Sequence, residues 1–221
     1  MRPQELDHLA LWVANRAAAE EELLDALNIH TIDRNGRHTL LGPSASAGKL
    51  TLFDAPESEP QPLRLVSVLL ADTVQGRQPL FVTGGPMITF GMHARAQTRN
   101  VPQHALIGLT LRCSDPAVVA AEYASRFGFQ SVTAHRDVAA VAVGSGVITL
   151  VREEPTAGDA PMLHHLGLLD RSAEDHLRHA EAHGIEVLDV VDAPNTLAVF
   201  VEGPEQVRLE YVEHKPEFAL V

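Results

Sequence analysis

The sequence predicts an α+β fold of tandem β-α-β-β-β units, the second of them degenerate. Three observations carry this. Segments 5–54, 105–154 and 161–213 each read strand, helix, strand, strand, strand, with helix stops and last strands at matching offsets. Each helical stretch follows a capping residue. The stretch 56–104 carries strand patterns without a helix pattern. The chain therefore divides into units at 1–55, 56–103, 104–155 and 160–214.

In the first unit ELDHLALWV alternates as a strand, Asn15 caps, and AAAEEELLDAL is a helix with Leu23, Leu24 and Leu27 along one stripe. Short strands follow around Thr31 and His38–Leu41, and Gly48 opens KLTLFDA. APESEPQP is a connector, and LRLVSVLLA, PLFVTGG and PMITFGM are the strands of the degenerate unit. In the third unit ALIGLTLRC is followed by Ser114-Asp115-Pro116, a cap with proline in the first turn, then by AVVAAEYASRF, which Gly128 stops. SVTAHRD, VAAVAVG and VITLVRE are its strands. In the last unit LHHLGLL is the strand, Ser172 the cap and AEDHLRHAEAH the helix, stopped by Gly184; IEVLDVV, TLAVFVE and QVRLEYVE follow.

The composition narrows the function. Of 221 residues, 17 are Lys or Arg and 29 Asp or Glu, a net charge of -12 that argues against binding nucleic acid or an anionic membrane. One cysteine, Cys113, excludes a disulfide scaffold and suits a reducing compartment. No apolar run approaches the ~20 residues of a membrane span, and MRPQELDHLA lacks a signal design. The expectation is a soluble, cytoplasmic protein that acts on a small molecule and is open to forming a homo-oligomer.

Strand alternation decides which side chains share a face. Leu9, Leu11 and Val13 suit the face under the helix, so His8, Ala10 and Trp12 point the other way. In the last unit Leu166 and Leu168 suit the helix face, which leaves His165 and Gly167 opposite. The final strand puts Glu210 on the same face as His165. His8 holds the position of His165 in the first unit, and Gly108 holds it in the third. Thr51 and Thr149 stand where the last unit has Glu210. Two imidazoles and one carboxylate form the facial set that holds Fe(II) and leaves three positions open; Mn(II) and Zn(II) also use such donors.

LDHLALWV, HHLGLL and VRLEYVE resemble the vicinal-oxygen-chelate superfamily, which includes glyoxalase I, bleomycin-resistance proteins and extradiol ring-cleaving dioxygenases. The resemblance implies two cup-shaped half-barrel sheets, each made by a pair of units. It also implies a divalent metal, Fe(II) above all, held by His8, His165 and Glu210, with dioxygen as co-substrate. The ligand layout and the doubled His164-His165 are similar to the hydroquinone-type ring-cleaving branch. The complete set requires unit 1 to pair with unit 4 in a metal cup and unit 2 with unit 3 in a structural cup; pairing between two chains is the alternative. Phe200 stands where ring-cleaving members carry a tyrosine, ten residues before the glutamate. Trp12 and Phe200 would shape an apolar pocket wall. His164 is a candidate catalytic residue only if its strand is irregular. A glyoxalase-like isomerase or lyase would want a carboxylate at Thr51, and a metal-free antibiotic-binding protein would use the histidines as hydrogen-bonding groups.

Other features read as structural. His176, His179 and His183 suit a solvated helix face. His93, Arg95 and Arg99 form a basic loop patch. Cys113 reads as a buried, inert thiol.

Overall fold

The computed structural model describes residues 2–46, 48–56, 65–74, 76–91, 102–153 and 163–216. The basic patch of His93, Arg95 and Arg99 lies outside them. The first segment runs β1 (Glu5–Val13), α1 (Arg16–Ala26), β2 (His30–Arg34), β3 (His38–Gly42) and β4 (Lys49–Asp54). The second runs β5 (Leu65–Ala71), β6 (Leu80–Phe81) and β7 (Met87–Gly91), with no helix among its described residues. The third runs β8 (Leu106–Cys113), α2 (Pro116–Phe127), β9 (Gln130–Ala134), β10 (Val138–Val143) and β11 (Gly146–Arg152). The last runs β12 (Leu163–Asp170), α3 (Ala173–Ala182), β13 (Val187–Asp192), β14 (Thr196–Glu202) and β15 (Arg208–His214).

The three helices begin where capping chemistry starts them. Asn15 accepts from Ala18 N, Asp115 from Ala117 N and Val118 N, and Ser172 from Asp175 N. Each cap satisfies a backbone donor that has no partner inside the helix. Gly128 ends α2 in the left-handed region at φ 74.

Two open mixed sheets result. One has the order β13-β14-β15-β12-β1-β4-β3-β2, the other β6-β7-β5-β8-β11-β10-β9. In each segment the first strand runs parallel to the last, β1 with β4, β5 with β7, β8 with β11 and β12 with β15. The seams between segments are antiparallel, β1 with β12 and β5 with β8. The two ends of the sequence therefore share a single sheet.

One hydrophobic cluster fills the space between the sheets and helices, drawing Leu9, Leu11 and Leu23 from the first segment, Leu109 and Tyr123 from the third and Leu166 and Leu168 from the last. Truncating one such leucine to alanine costs about 2–5 kcal/mol. Cys113 is buried in this core. No helix of the described residues is long and apolar enough to cross a membrane.

The seams carry a repeated irregularity. In β1–β12 the register passes from Leu6↔Leu168 to His8↔Gly167, skipping Asp7, and from Ala10↔His165 to Leu11↔Leu163, skipping His164. In β5–β8 it skips Val66 and Ile107 in the same way. A β-bulge thus precedes the same position in all four segments, and bulges re-aim the side chain they carry.

Candidate metal centre

The register confirms which positions are equivalent. His8 pairs with Lys49 two rungs before Ala10 pairs with Thr51, and Gly108 pairs with Val147 two rungs before Thr110 pairs with Thr149. In the last segment Gly167 pairs with Glu210. The β5 strand adds Ser67↔Met87 and Leu69↔Thr89. The first sheet therefore holds His8 and His165 where the second has Ser67 and Gly108. Glu210 is matched by Thr51, Thr89 and Thr149.

His8, His165 and Glu210 converge across the β1–β12 seam. Nε2 of His8 lies 3.0 Å from Oε2 of Glu210, Nε2 of His165 lies 2.8 Å from the same oxygen, and the two Nε2 atoms are 2.9 Å apart. Among the described residues this is the one group of three donors placed to hold a metal ion. The outer ring nitrogens are held by the residues that the bulges turn inward. Nδ1 of His8 is 2.7 Å from Oδ2 of Asp7, and Nδ1 of His165 is 2.6 Å from Nδ1 of His164. The Asp7 carboxylate can only accept, which makes His8 Nδ1 the donor; a His165 Nδ1–H donated to His164 in the same sense would turn both Nε2 lone pairs toward Glu210.

That triangle cannot be satisfied by hydrogen bonds alone. With both Nε2 atoms unprotonated, two lone pairs oppose a carboxylate. With both protonated, the two N–H groups oppose each other at 2.9 Å, and with only His8 protonated the bare Nε2 of His165 still opposes the carboxylate at 2.8 Å. A cation at the centre relieves every edge. Donor atoms bound at about 2.1 Å on one face of an octahedral ion stand about 3 Å apart, which is the spacing found here. The donor set fits a divalent ion with three positions left for other ligands.

The electrostatics agree. Burial would lower the His8 pKa, but the charge of Glu210 and the hydrogen bonds to Asp7 and Glu210 raise it to about 9. Burial holds His165 below the ordinary imidazole value despite Glu210. Burial also pushes His164 down to about 3, with the charges of His165 and Arg208 adding to it. Burial opposes ionisation of Glu210, yet the two imidazoles hold it well below the usual carboxylate range. Asp7, 1 % exposed, is held low against its burial by Lys49 and His8, and Lys49 Nζ lies 3.0 Å from its Oδ1.

The triad opens into a cavity of about 690 Å³, a size that suits a small molecule. Leu40, Phe53, Phe200 and Val212 give it an apolar wall, while Arg37, His38, Lys49 and His214 give it a polar one. The Phe200 ring meets His165 edge-on at 5.3 Å and lies under the Arg208 guanidinium at 4.3 Å. Trp12 stands behind the wall, packing on Phe53 at 5.6 Å and His164 at 4.4 Å. A smaller cavity beside α1 contains Glu20, whose carboxylate is already taken by Thr31 and Arg34.

One open condition is met and one expectation needs correction. Regular alternation sends His164 to the helix side; the bulge instead brings it to the cup side, stacked on Phe53 at 4.4 Å. His176 is not on a solvated face. It is buried, stacked on Tyr211 at 3.7 Å and bonded to Asp170 at 2.7 Å, while His179 is half-buried and His183 exposed. Sequence reasoning also misses Asp7, Phe53, His38 and His214. Asp7 carried a signal, a carboxylate next to a candidate ligand in an apolar strand.

No protein-family model and no curated protein matches the chain. Solved structures do. A candidate dioxygenase from Bacillus subtilis superposes with a TM-score of 0.73 at 16% identity, over 99% of this chain and 87% of that one. Glyoxalase I from Zea mays gives 0.66 at 12% identity, over 95% and 92% of the two chains. A mutant of the maize enzyme gives 0.68 at 12% identity, over 95% and 92%. Three β-α-β-β-β segments and one without a described helix, antiparallel seams and near full-length superposition agree: the chain has the fold of the vicinal-oxygen-chelate superfamily.

Proposed function

We propose that this protein is a metal-dependent oxidoreductase of the extradiol ring-cleaving type. Its substrate would be a small catechol- or hydroquinone-like aromatic. The observation that carries the reading is the closed triangle of His8, His165 and Glu210, which calls for a divalent cation, Fe(II) for this chemistry. When bound, the ion supplies Lewis acidity and a template for the substrate oxygens and dioxygen. Both atoms of dioxygen would end in the ring-opened product, so no external reductant is consumed.

The chain's own residues would do the rest. Asp7 and His164 fix the imidazole tautomers through 2.7 and 2.6 Å contacts. Phe53 and Phe200 exclude water and hold an aromatic ring against the triad. Phe200 has no hydroxyl to donate, so proton transfer falls to the cavity-lining imidazoles His38 and His214, both held below the ordinary value by burial. Thr51 in place of a second carboxylate favours this reading over glyoxalase-type isomerisation, as does the likeness to the Bacillus subtilis candidate dioxygenase.

The test is oxygen uptake by Fe(II)-loaded protein with catechol and hydroquinone panels, beside metal analysis of wild type and Glu210→Ala. Uptake with ring-opened product is expected in wild type alone. Equal, negligible metal in both proteins would remove the reading.

A further inference from the structure

We infer that the substrate of this cavity is an anion, a small aromatic carboxylate whose carboxylate group is held by Arg37. The inference rests on the proposed reading for the chemistry at the far end of the cavity, but its evidence is separate.

It begins with the charges on the lining. Two carboxylates line the cavity, and both are occupied: Asp7 by Lys49 and His8, and Glu210 by the two imidazoles. Lys49 is likewise committed, 3.0 Å from both Asp7 Oδ1 and the Ala45 carbonyl oxygen. Arg37 is different. It is an exposed residue of the lining, and among the described residues no carboxylate lies within ion-pair distance of its guanidinium. The cavity thus keeps one uncommitted cation in a chain whose net charge is -12. A divalent ion at the triad would make the cavity more positive still. An anionic ligand is the charge complement of such a site.

The arginine is also held from behind. It sits on the turn joining β2 to β3, where Asn35 Oδ1 accepts from Arg37 N at 2.8 Å and His38 N at 3.0 Å. Arg16 donates to the Asn35 carbonyl oxygen at 3.2 Å, and its backbone N–H donates to Asp54 at 3.0 Å, which ties the turn to α1 and the end of β4. A turn held this way presents Arg37 from a fixed backbone, and a guanidinium fork suits a carboxylate in two-point contact. Phe53 and Phe200 supply surfaces for a ring between the two poles.

Benzoate and its neutral isostere benzamide test this on metal-free protein, with binding followed by backbone amide NMR shifts in wild type and Arg37→Gln. Zinc(II) affinity is measured separately on both proteins by calorimetry. Wild type is expected to bind benzoate about tenfold more tightly than benzamide, and Arg37→Gln to lose that preference while keeping wild-type zinc affinity. Equal binding of the two probes, a preference that survives in Arg37→Gln, or no benzoate binding up to about 10 mM overturns the inference. Failure of zinc to bind, with the benzoate preference intact, would remove the metal reading and leave the carboxylate site standing. Normal zinc binding without the preference would do the reverse.

Discussion

The His8 imidazole lies over the bare backbone of Gly167. A Cβ there would stand 2.3 Å from both Cε1 and Nδ1 of the ring. The two residues are register partners across the β1–β12 seam. The ring cannot simply move aside, because Asp7 holds one nitrogen and Glu210 faces the other. Gly167→Ala is therefore expected to displace His8. Zinc affinity should fall about 10–100-fold, with a loss of about 1–3 kcal/mol from overpacking. Calorimetric zinc titration beside thermal melts checks both. Wild-type zinc affinity in a folded Gly167→Ala would mean that His8 does not bind metal in this pose.

The bulge residues give a second prediction. His164 Nδ1 lies 2.6 Å from His165 Nδ1 and its ring stacks on Phe53, yet it does not itself line the cavity. His164→Ala should lower zinc affinity about 10–100-fold while preserving the fold. Asp7→Asn should do more harm, because the buried Asp7 carboxylate serves both His8 and Lys49. A stability loss of about 3 kcal/mol is expected for breaking such a buried pair. Urea unfolding of the two variants separates the effects: His164→Ala shifts affinity and Asp7→Asn shifts both.

The second sheet should bind no metal of this kind. Ser67 and Gly108 replace the histidines, and Thr149 replaces the glutamate. A Cβ at Gly108 would lie 2.4 Å from the Val147 carbonyl oxygen, so that strand pair leaves no room for an imidazole. Metal analysis after zinc loading should return one equivalent per chain. Two equivalents would show a site elsewhere in the protein.

These relationships explain how far the sequence could be read. His8, His165 and Glu210 were legible because each sits on a regular stretch of strand, where alternation assigns the face and repetition assigns the equivalence. Pairing of the chain ends was one of the two closures that gather the three, the other being between two chains. The inward turn of Asp7 and His164 was not legible, because a bulge is a property of the register between two strands and leaves no mark on either one. His176 was misread for a similar reason. Its partners, Asp170 and Tyr211, come from two other strands, and helical spacing says nothing about them. Arg37 drew no notice because a turn arginine has no periodicity to betray it.

His176 supplies the pH prediction. Its Nε2 lies 2.7 Å from Asp170 Oδ2, its ring stacks on Tyr211, and both side chains of the pair are largely buried. Burial would raise the Asp170 pKa, but the hydrogen bond and charge of His176 outweigh it, and the carboxyl is held below its ordinary 3.8. A carboxylate with a depressed folded pKa binds its proton more readily in the unfolded chain. Its contribution to stability is then complete above the unfolded value and fades as the pH falls toward the folded one. Asp170→Asn removes that contribution at neutral pH, at a cost of about 1.5–3 kcal/mol for a hydrogen bond to a charged group. The difference between wild type and variant should therefore be widest near neutrality and shrink below about pH 4. Urea unfolding across that range measures it. A gap that stays constant into acid would mean that Asp170 acts through packing and not through its charge.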